Sequence, residues 1–377
     1  MNLSMLGSNV TVGWTLLILG ISSFAILTMG FRRLSTKLFE GVWRGKEMLK
    51  VIEVVNETHD IVKLGLARSG KRTIPNFLPG QFLSLQVGDD PKTIRSYSIC
   101  SSNLKNDVVQ IAVKRINGGV GSNWIHSLKV GDEVYGYPPS GFFTDTKKFY
   151  GSRVYVAGGI GVTPMVSMIK SNLENNYSGS MFLFYGMRSL QDMAFHEELL
   201  SLSKKHLNFN YFPFVAEPVS AWSGATGYVT YDAIKEKVGD ILSAKYFVCG
   251  PNPMMESIIG PLLDAGVPEH NIITEKFVSP STIDDSKVPY REVTVTIYGQ
   301  KYSYKGQKNL LEFAESHGLV IPFSCRAGVC GSCRCQVTGR VEMLTEAGLS
   351  FNDKKKGYIL SCVSYPKEDI TLIPLDS

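Results

Sequence analysis

Hydrophobic and polar positions divide the chain into stretches with different periodicities. Residues 10–31 are almost uniformly apolar, whereas residues 45–145 contain short runs such as QFLSLQV and VVQIAVKR, separated by Gly and Pro. Such runs predict strands, and their close, even spacing is typical of an antiparallel β-barrel.

The next stretch, residues 150–277, has a different pattern. Apolar runs such as VYVAG and YFVCG alternate with segments of helical periodicity. The predicted helices cover residues 163–173, 192–202 and 253–263. Strands that alternate with helices are the signature of a parallel sheet in an α/β layer.

The last part of the chain begins with a segment rich in Ser, Pro and Asp at residues 279–290, which predicts a linker. A small module follows, with predicted strands VTVTIYG and ILSCVSY around a short helix at Leu310–Ser316. The chain is therefore predicted to be multidomain. The predicted segments are an apolar anchor and its flank (1–43), a β-barrel (44–148), an α/β domain (149–278), the linker (279–290) and a C-terminal domain (291–377).

The apolar stretch predicts a transmembrane helix. Residues 10–31 would span roughly 33 Å as a helix, which exceeds a bilayer core of about 30 Å. No charged side chain precedes residue 32, and basic residues begin at Arg32 and Arg33. A signal peptide would place basic residues before the apolar run, so an anchor is favoured. The basic flank predicts a single-pass protein of the inner (plasma) membrane, with its remaining domains in the cytoplasm.

Composition narrows the classes of function. The 377 residues carry a net charge of +5, spread along the chain, so no nucleic-acid footprint is apparent. Five of the seven cysteines lie in the last quarter of the chain. An odd, clustered set is not typical of a secreted disulfide framework and indicates a metal or cluster site.

The cysteine spacing is the most specific signal. Cys325, Cys330 and Cys333 form C-x4-C-x2-C, and Cys362 follows at a distance. This is the plant-type [2Fe–2S] spacing, whereas zinc sites usually pair two C-x2-C units. Cys335 is interpreted as a strand residue rather than a ligand.

Two glycine-containing motifs indicate nucleotide binding. In the predicted barrel, the R-x-Y-S run of residues 95–98 precedes Lys114 and a glycine-rich segment that opens a helix at Ser122. In the α/β layer, Gly158–Thr163 follows a strand and precedes a helix, and Cys249-Gly250 ends a later strand. Amide groups at helix N-termini bind phosphates, and ligands lie at this edge of parallel sheets.

These motifs, in this order, resemble the ferredoxin–NADP reductase superfamily over residues 45–277, and residues 291–377 resemble the plant-type β-grasp ferredoxin domain. The resemblance implies a flavin site of Arg95, Tyr97, Ser98, Lys114, Gly118, Gly119 and Ser122. It implies a nicotinamide nucleotide site of Gly159, Gly161, Thr163, Arg188, Cys249 and Gly250, with Phe277 beside the flavin. It also implies that Cys325, Cys330, Cys333 and Cys362 are the cluster ligands.

The implied activity is NAD(P)H oxidation with electron transfer through FAD to the [2Fe–2S] cluster, because a flavin accepts a hydride's two electrons and releases them singly. FMN is the alternative flavin. No catalytic acid, base or nucleophile is required. Arg188 favours NADPH and Asp192 opposes it, so the donor stays open.

The six histidines are scattered, so a separate acceptor protein is expected. The predicted anchor favours a membrane oxygenase or desaturase as this acceptor. The alternatives are a soluble dioxygenase, a hybrid-cluster protein, or a redox-sensing module without turnover.

Overall fold

The computed structural model describes residues 43, 45–71, 73–90, 93–104, 107–145, 149, 151–217, 220, 222–277, 288–323, 325–329, 331–346, 348–349 and 351–374. The chain divides into two units, Met1–Trp43 and Arg44–Ser377, and the following account concerns the second. The predicted transmembrane segment 10–31 lies outside the described residues. Within the described ranges, every helix is too short or too polar for a bilayer crossing.

The first sheet of the second unit is a six-stranded antiparallel barrel. Its strands are β1 (Glu47–Asn56), β2 (Ile61–Arg68), β3 (Phe82–Gln86), β4 (Ile94–Ser98), β5 (Val109–Lys114) and β6 (Glu133–Gly136), in the order β4-β3-β6-β1-β2-β5. A bridge between Ile99 and Ile111 joins the two outer strands and closes the barrel. The alternation of apolar and polar residues explains the strands. In β1, Leu49 and Val51 are fully buried, while Lys50 between them is exposed. Helix α1 (Val120–Ser127) connects β5 to β6.

The second sheet is parallel, as predicted. It contains β7 (Arg153–Gly158), β8 (Met181–Met187), β9 (Phe209–Val215), β10 (Ala225–Thr226), β11 (Lys245–Cys249) and β12 (Ile272–Glu275), in the order β10-β9-β8-β7-β11-β12. The helices between them are α2 (Val162–Glu174), α3 (His196–Lys205), α4 (Tyr231–Val238) and α5 (Asn252–Asp264). All six residues of β7 are buried, which is expected of a parallel strand covered on both faces.

The predicted helix at 192–202 begins later than its periodicity indicates. A 3₁₀ turn occupies Leu190–Asp192, and α3 starts only at His196. The Asp192 carboxylate accepts hydrogen bonds from the backbone N–H and the hydroxyl of Ser189, which closes a separate capped turn. Phe195 then adopts φ 59°, and its N–H donates to Glu57 of the barrel at 2.9 Å. Local capping and a long-range contact thus override the helical pattern.

The C-terminal domain contains a five-stranded sheet and a two-stranded ribbon. The strands are β13 (Arg291–Ile297), β14 (Gln300–Gly306), β15 (Arg334–Thr338), β16 (Val341–Met343), β17 (Tyr358–Leu360), β18 (Ser364–Pro366) and β19 (Ile370–Pro374), and the helices are α6 (Leu310–Ser316) and α7 (Phe351–Lys355). The sheet order is β14-β13-β19-β15-β17, with β16 and β18 paired separately. Of the predicted linker, only residues 288–290 are described.

The segment ILSCVSY was predicted as a single strand, and this prediction is wrong in one respect. It is split by a 3₁₀ turn at Ser361–Val363. The Ser361 N–H donates to the Cys333 carbonyl at 3.0 Å, and the Ser364 hydroxyl donates to the Leu360 carbonyl at 2.7 Å. These bonds turn the chain where Cys362 must approach the cysteine loop.

A buried ion pair joins the barrel to the α/β domain. Asp145 accepts from the Arg153 guanidinium at 2.5 Å and from the Tyr155 hydroxyl at 3.0 Å, and both side chains of the ion pair are almost fully buried. Asn172 donates to the same carboxylate at 2.6 Å. Because an unpaired buried charge is costly, this network holds Asp145, which follows the barrel, against β7 and α2.

Candidate functional site

A cavity of about 300 Å³ lies where the barrel, the α/β domain and the cysteine loop meet. Seven of the residues predicted at the flavin line it, together with Thr163, which was predicted for the nucleotide site. They are Arg95, Tyr97, Ser98, Lys114, Gly119, Ser122, Thr163 and Phe277. Sequence reasoning missed Ser96, Phe82 and Gly121 on its walls. The cavity therefore gathers residues as far apart in the chain as Phe82 and Val329.

Strand β4 and helix α1 form the tightest wall. Arg95 and Tyr97 project to the same face of β4. A Cβ atom on Gly121 would lie 2.7 Å from the Tyr97 hydroxyl and 2.8 Å from Cγ of Arg95, so only glycine allows this approach. The Tyr97 hydroxyl is buried and has no hydrogen-bond partner among the described residues, and burial raises its pKa. An orphaned hydroxyl in an apolar cavity fits a ligand with polar ring atoms, as a flavin has.

The glycine segment before α1 supplies amide donors. Gly118 has φ 71°, and Gly119 is the N-cap without a side-chain hydrogen bond. The Ser122 hydroxyl accepts from the Ile116 N–H at 3.0 Å and so holds the loop against the helix. The first amides of a helix lack backbone partners and carry positive potential. This geometry fits a pyrophosphate.

Lys114 lines the cavity but is already paired. Its ammonium lies 3.3 Å from the Asp60 carboxylate of the barrel and 3.4 Å from that of Asp192 in the α/β domain. The predicted contact of Lys114 with the cofactor would therefore compete with two carboxylates. The observed role of this side chain is to bridge the two domains.

The two glycine turns at the carboxyl edge of the parallel sheet pack backbone against backbone. A Cβ atom on Gly161 would overlap the carbonyl oxygen of Cys249, and one on Gly250 would lie 3.0 Å from the Gly158 nitrogen. Gly159 adopts φ 53°. Any side chain here would separate the turns, so the predicted nucleotide residues share one edge that a ligand backbone can approach closely.

Glu275 connects this edge to the cavity. It pairs in register with Cys249 on the adjacent strand, and the Ser98 hydroxyl donates to its carboxylate at 3.5 Å. Burial raises the pKa of Glu275 to about 8. Burial, together with the Glu275 charge, also raises the pKa of the Cys249 thiol well above its usual value. The carboxyl group that lines the cavity therefore keeps its proton to a higher pH than an ordinary glutamate does.

We expect Glu275→Gln to become progressively more stable than the wild type as pH rises from about 4.5 to 8. Below this window Glu275 is protonated in both folded and unfolded chains. Within it the unfolded chain releases a proton that the folded chain retains, so wild-type stability falls with rising pH. Thermal unfolding from pH 4 to 9 measures the difference, and parallel curves for the two proteins would contradict it.

Arg188 lies at the end of β8 and is not free for a phosphate. Its Nε donates to the Glu217 carboxylate at 3.0 Å, and the Glu217 N–H donates to the Arg188 carbonyl at 2.7 Å. Both side chains are largely exposed. The sheet edge where a nucleotide ribose would lie thus presents the Glu217 carboxylate as well as the Arg188 guanidinium.

The structure brings two of the four predicted ligands together, Cys333 and Cys362, while Cys330 lies outside the described residues. Cys325, Cys333 and Cys362 are buried, and the sulfurs of Cys333 and Cys362 are 3.2 Å apart. The Ala327 N–H donates to the Cys325 sulfur at 3.4 Å. A close pair of thiols and a third cysteine whose sulfur accepts an amide N–H fit an iron–sulfur cluster, whose thiolates accept such bonds.

Glycines allow the loop to fold this tightly. Gly328 and Gly331 have φ 66° and 69°, and a Cβ atom on either would collide with Val363 or Phe142. Cys335 lies in β15 with its sulfur directed to the Cys333 carbonyl at 3.6 Å, in the domain core. It is placed as the predicted strand residue.

The first predicted ligand, Cys325, also forms a wall of the cavity. Cys325, Ala327 and Val329 line the same space as Tyr97, and Phe82 of the barrel packs against Cys325 and Ala327. A flavin in the cavity would contact the loop that holds the cluster.

Three family models match consecutive parts of the chain. The oxidoreductase FAD-binding domain matches residues 48–144, the oxidoreductase NAD-binding domain residues 155–259, and the 2Fe-2S iron-sulfur cluster binding domain residues 294–367. The predicted FAD, [2Fe–2S] cluster and NAD(P)H are thereby confirmed as the cofactors and substrate. The individual site residues stay predictions.

Relatives and a solved structure share all three domains. The ferredoxin reductase component of 3-ketosteroid-9-alpha-monooxygenase from Rhodococcus rhodochrous is 31% identical over 340 residues, which is 85% of this chain and 95% of that protein. The glycine betaine monooxygenase reductase subunit of Pseudomonas aeruginosa is 29% identical over 350 residues, 87% and 95% of the two chains. Phthalate dioxygenase reductase, described as a modular structure for electron transfer from pyridine nucleotides to [2Fe–2S], is 26% identical with a TM-score of 0.59, covering 87% of this chain and 98% of its own.

Proposed function

The chain belongs to the ferredoxin reductase family with FAD-binding, NAD-binding and [2Fe–2S] domains, and we propose that it delivers electrons from NAD(P)H to an oxygenase held at a membrane. It is an oxidoreductase of the ferredoxin reductase type. The observation that carries the proposal is the shared wall of cavity and cluster loop, where Cys325 and Tyr97 line one space.

The groups that this chain binds supply the redox chemistry, since a flavin exchanges two electrons with a nicotinamide and one with an iron–sulfur cluster. The chain's own residues supply placement. Gly121 keeps the floor of the cavity open, and the glycine turns at Gly161 and Gly250 admit the nucleotide. Phe82 packs against Ala327 and Val329, which makes the wall on the side of the cysteine loop apolar.

A spectroscopic titration tests the reductase activity. The purified full chain should show flavin and cluster absorbance, and both should bleach on addition of NADH or NADPH under anaerobic conditions. A protein that holds flavin whose cluster stays oxidised after flavin reduction would contradict the proposed route.

The oxygenase partner is proposed from the relatives, which are reductase components of monooxygenases and a dioxygenase by name. Its place at a membrane is proposed from the uncharged apolar run at residues 10–31 and the basic residues that follow. The same pattern supports a location at the inner face of the plasma membrane, with the catalytic domains in the cytoplasm.

We expect the full chain to stay in the membrane pellet after alkaline carbonate extraction, whereas a chain that begins at Arg44 should be recovered in the supernatant with its NADH-driven ferricyanide reduction intact. Residues 44–377 form a compact unit of their own, so the shorter chain should fold. Immunoblotting of both fractions measures the outcome. Recovery of the full chain in the supernatant would exclude the anchor.

For the donor, we propose NADH rather than NADPH. The Glu217 carboxylate neutralises Arg188, so the edge of the sheet has little net attraction for a 2′-phosphate. The exposed ion pair is screened by water, which limits the energy involved.

Glu217→Gln should raise kcat/KM for NADPH relative to NADH by about threefold to fivefold, because it frees Arg188 and removes a negative charge. The ratio of the two specificity constants is the measurement. Glu236→Gln is the matched control, since this exposed acid pairs with Lys237 on α4 and its loss should leave the ratio unchanged. An unchanged ratio in Glu217→Gln would place the 2′-phosphate elsewhere.

A further inference from the structure

Three consecutive exposed lysines mark the surface next to the cluster loop. They end α7 and the turn after it, as Lys354, Lys355 and Lys356. Lys354 pairs with Glu346 at 3.0 Å. Within the ranges that the structure describes, Lys355 and Lys356 have no ion pair, so this surface keeps a net positive charge.

An ion pair with a buried carboxylate connects the segment of these lysines to the cysteine loop. Asp353, which immediately precedes them, is buried and accepts from Nη1 of Arg334 at 2.9 Å. Arg334 directly follows Cys333, and its Nε donates to the Gly331 carbonyl at 3.1 Å. The Arg334–Asp353 pair therefore connects the lysines to Cys333, a predicted ligand. The lysines and the cysteine loop should move together.

The lysine surface stays open while the cluster loop contacts the barrel. The Arg334 guanidinium lies 4.7 Å from the ring centroid of Phe142, a barrel residue that also packs at Gly331. Lys355 and Lys356 are exposed in this same arrangement. A partner could reach them without separating the cluster loop from the flavin cavity.

We propose that Lys354–Lys356 form the docking surface for the electron acceptor, and that the acceptor presents an acidic face to it. In this complex one electron leaves the reduced cluster and reduces the acceptor, and no atoms are exchanged. Complementary charges raise the rate of encounter and set the orientation of partners. The inference rests on the reductase activity and is independent of the proposed anchor.

A double variant, Lys355→Glu with Lys356→Glu, tests the proposal in the full chain. Cytochrome b5, an acidic haem protein, serves as the acceptor probe. Its second-order reduction rate should fall about tenfold or more at low ionic strength, and the difference from wild type should shrink as salt rises. Lys355→Gln with Lys356→Gln should show a smaller loss in the same direction.

The matched control is Lys301→Glu with Lys308→Glu, an equal charge change in the same domain. Both are exposed, and Lys301 lies on β14, the edge strand farthest from β15 and β17. This control should reduce cytochrome b5 at close to the wild-type rate. Anaerobic bleaching of the cluster by NADH should proceed at the wild-type rate in every variant, which distinguishes failed docking from a failed reductase.

Equal losses in the test and control variants would overturn the proposal, because they would reflect net charge alone. A wild-type rate of cytochrome b5 reduction in the double variant would also overturn it. Anionic lipid is the competing ligand for such lysines. If the double variant loses binding to phosphatidylserine vesicles and keeps its rate with cytochrome b5, the surface contacts lipid and the proposal is wrong.

Discussion

Replacing Cys362 by alanine is expected to abolish electron transfer to cytochrome c while NADH still reduces the flavin. Cys362 lies 3.2 Å from Cys333, sulfur to sulfur, and a cluster that loses one of four thiolates is not retained. The rate of NADH-driven cytochrome c reduction should fall by more than about 100-fold, since binding of the group requires its full ligand set. Iron analysis and the visible spectrum should show flavin without the cluster.

The control for this experiment is Cys335→Ala. Cys335 is as deeply buried as Cys362 and lies two residues from Cys333, so both variants remove one buried sulfur from the same domain. Cys335→Ala should keep iron, colour and most of the activity, with only a modest loss of stability. A cluster that survives in Cys362→Ala and disappears in Cys335→Ala would reverse the ligand assignment.

Local patterns in the sequence were sufficient for most of the helices and strands. The helix predicted at 310–316 coincides with α6, and α2 and α5 contain the predicted helices at 163–173 and 253–263. Such segments succeed because periodicity and glycine placement act over a few residues. Cysteine spacing likewise reports on a loop whose geometry is local.

What the sequence did not reveal depends on contacts between distant segments. Lys114 was predicted to contact the cofactor, yet its ammonium lies between Asp60 and Asp192, which are far away in sequence. The positive charge of Arg188 was taken to favour NADPH, but the Glu217 carboxylate pairs with Arg188 and neutralises that charge. Pairings of this kind follow from sheet order and domain packing, which no single segment encodes.

The meeting of cavity and cluster loop is the clearest case. Each motif was visible separately, but the position of Cys325 in the wall of the cavity follows from the docking of two domains. Gly121 is similar: its need for glycine comes from Tyr97 and Arg95 on another element. When a backbone segment approaches a distant side chain this closely, the glycine itself is the only local sequence signal of the contact.

The same wall brings the barrel, the α/β domain and the C-terminal domain together at one cavity. Ser98, at the end of β4, touches Glu275, at the end of β12, so the barrel meets the nucleotide edge beside the cavity. The cysteine loop closes the opposite side through Phe82. The predicted donor, flavin and cluster sites thus converge on one space. We therefore expect substitutions at the predicted flavin residues to have the largest effects on electron transfer.

Arg95→Ala should therefore weaken flavin binding strongly. Arg95 lines the cavity beside Tyr97, and it is fixed by a bond from Nη1 to the Ile94 carbonyl at 2.9 Å. Loss of a charged hydrogen bond to a phosphate costs about 2–3 kcal/mol, which is roughly 30- to 150-fold in the dissociation constant. Titration of flavin-free protein with FAD, followed by fluorescence quenching, measures this change.

Two further variants decide whether charge or geometry is responsible. Arg95→Lys keeps the charge but loses the planar fork of donors, so its affinity should fall between those of the wild type and Arg95→Ala. Arg115→Ala removes an exposed arginine that contacts His126 in the same domain, and it should bind FAD as the wild type does. If Arg95→Ala and Arg115→Ala bound FAD equally well, the phosphate would lie outside the reach of β4, and the flavin would have to enter the cavity in another orientation.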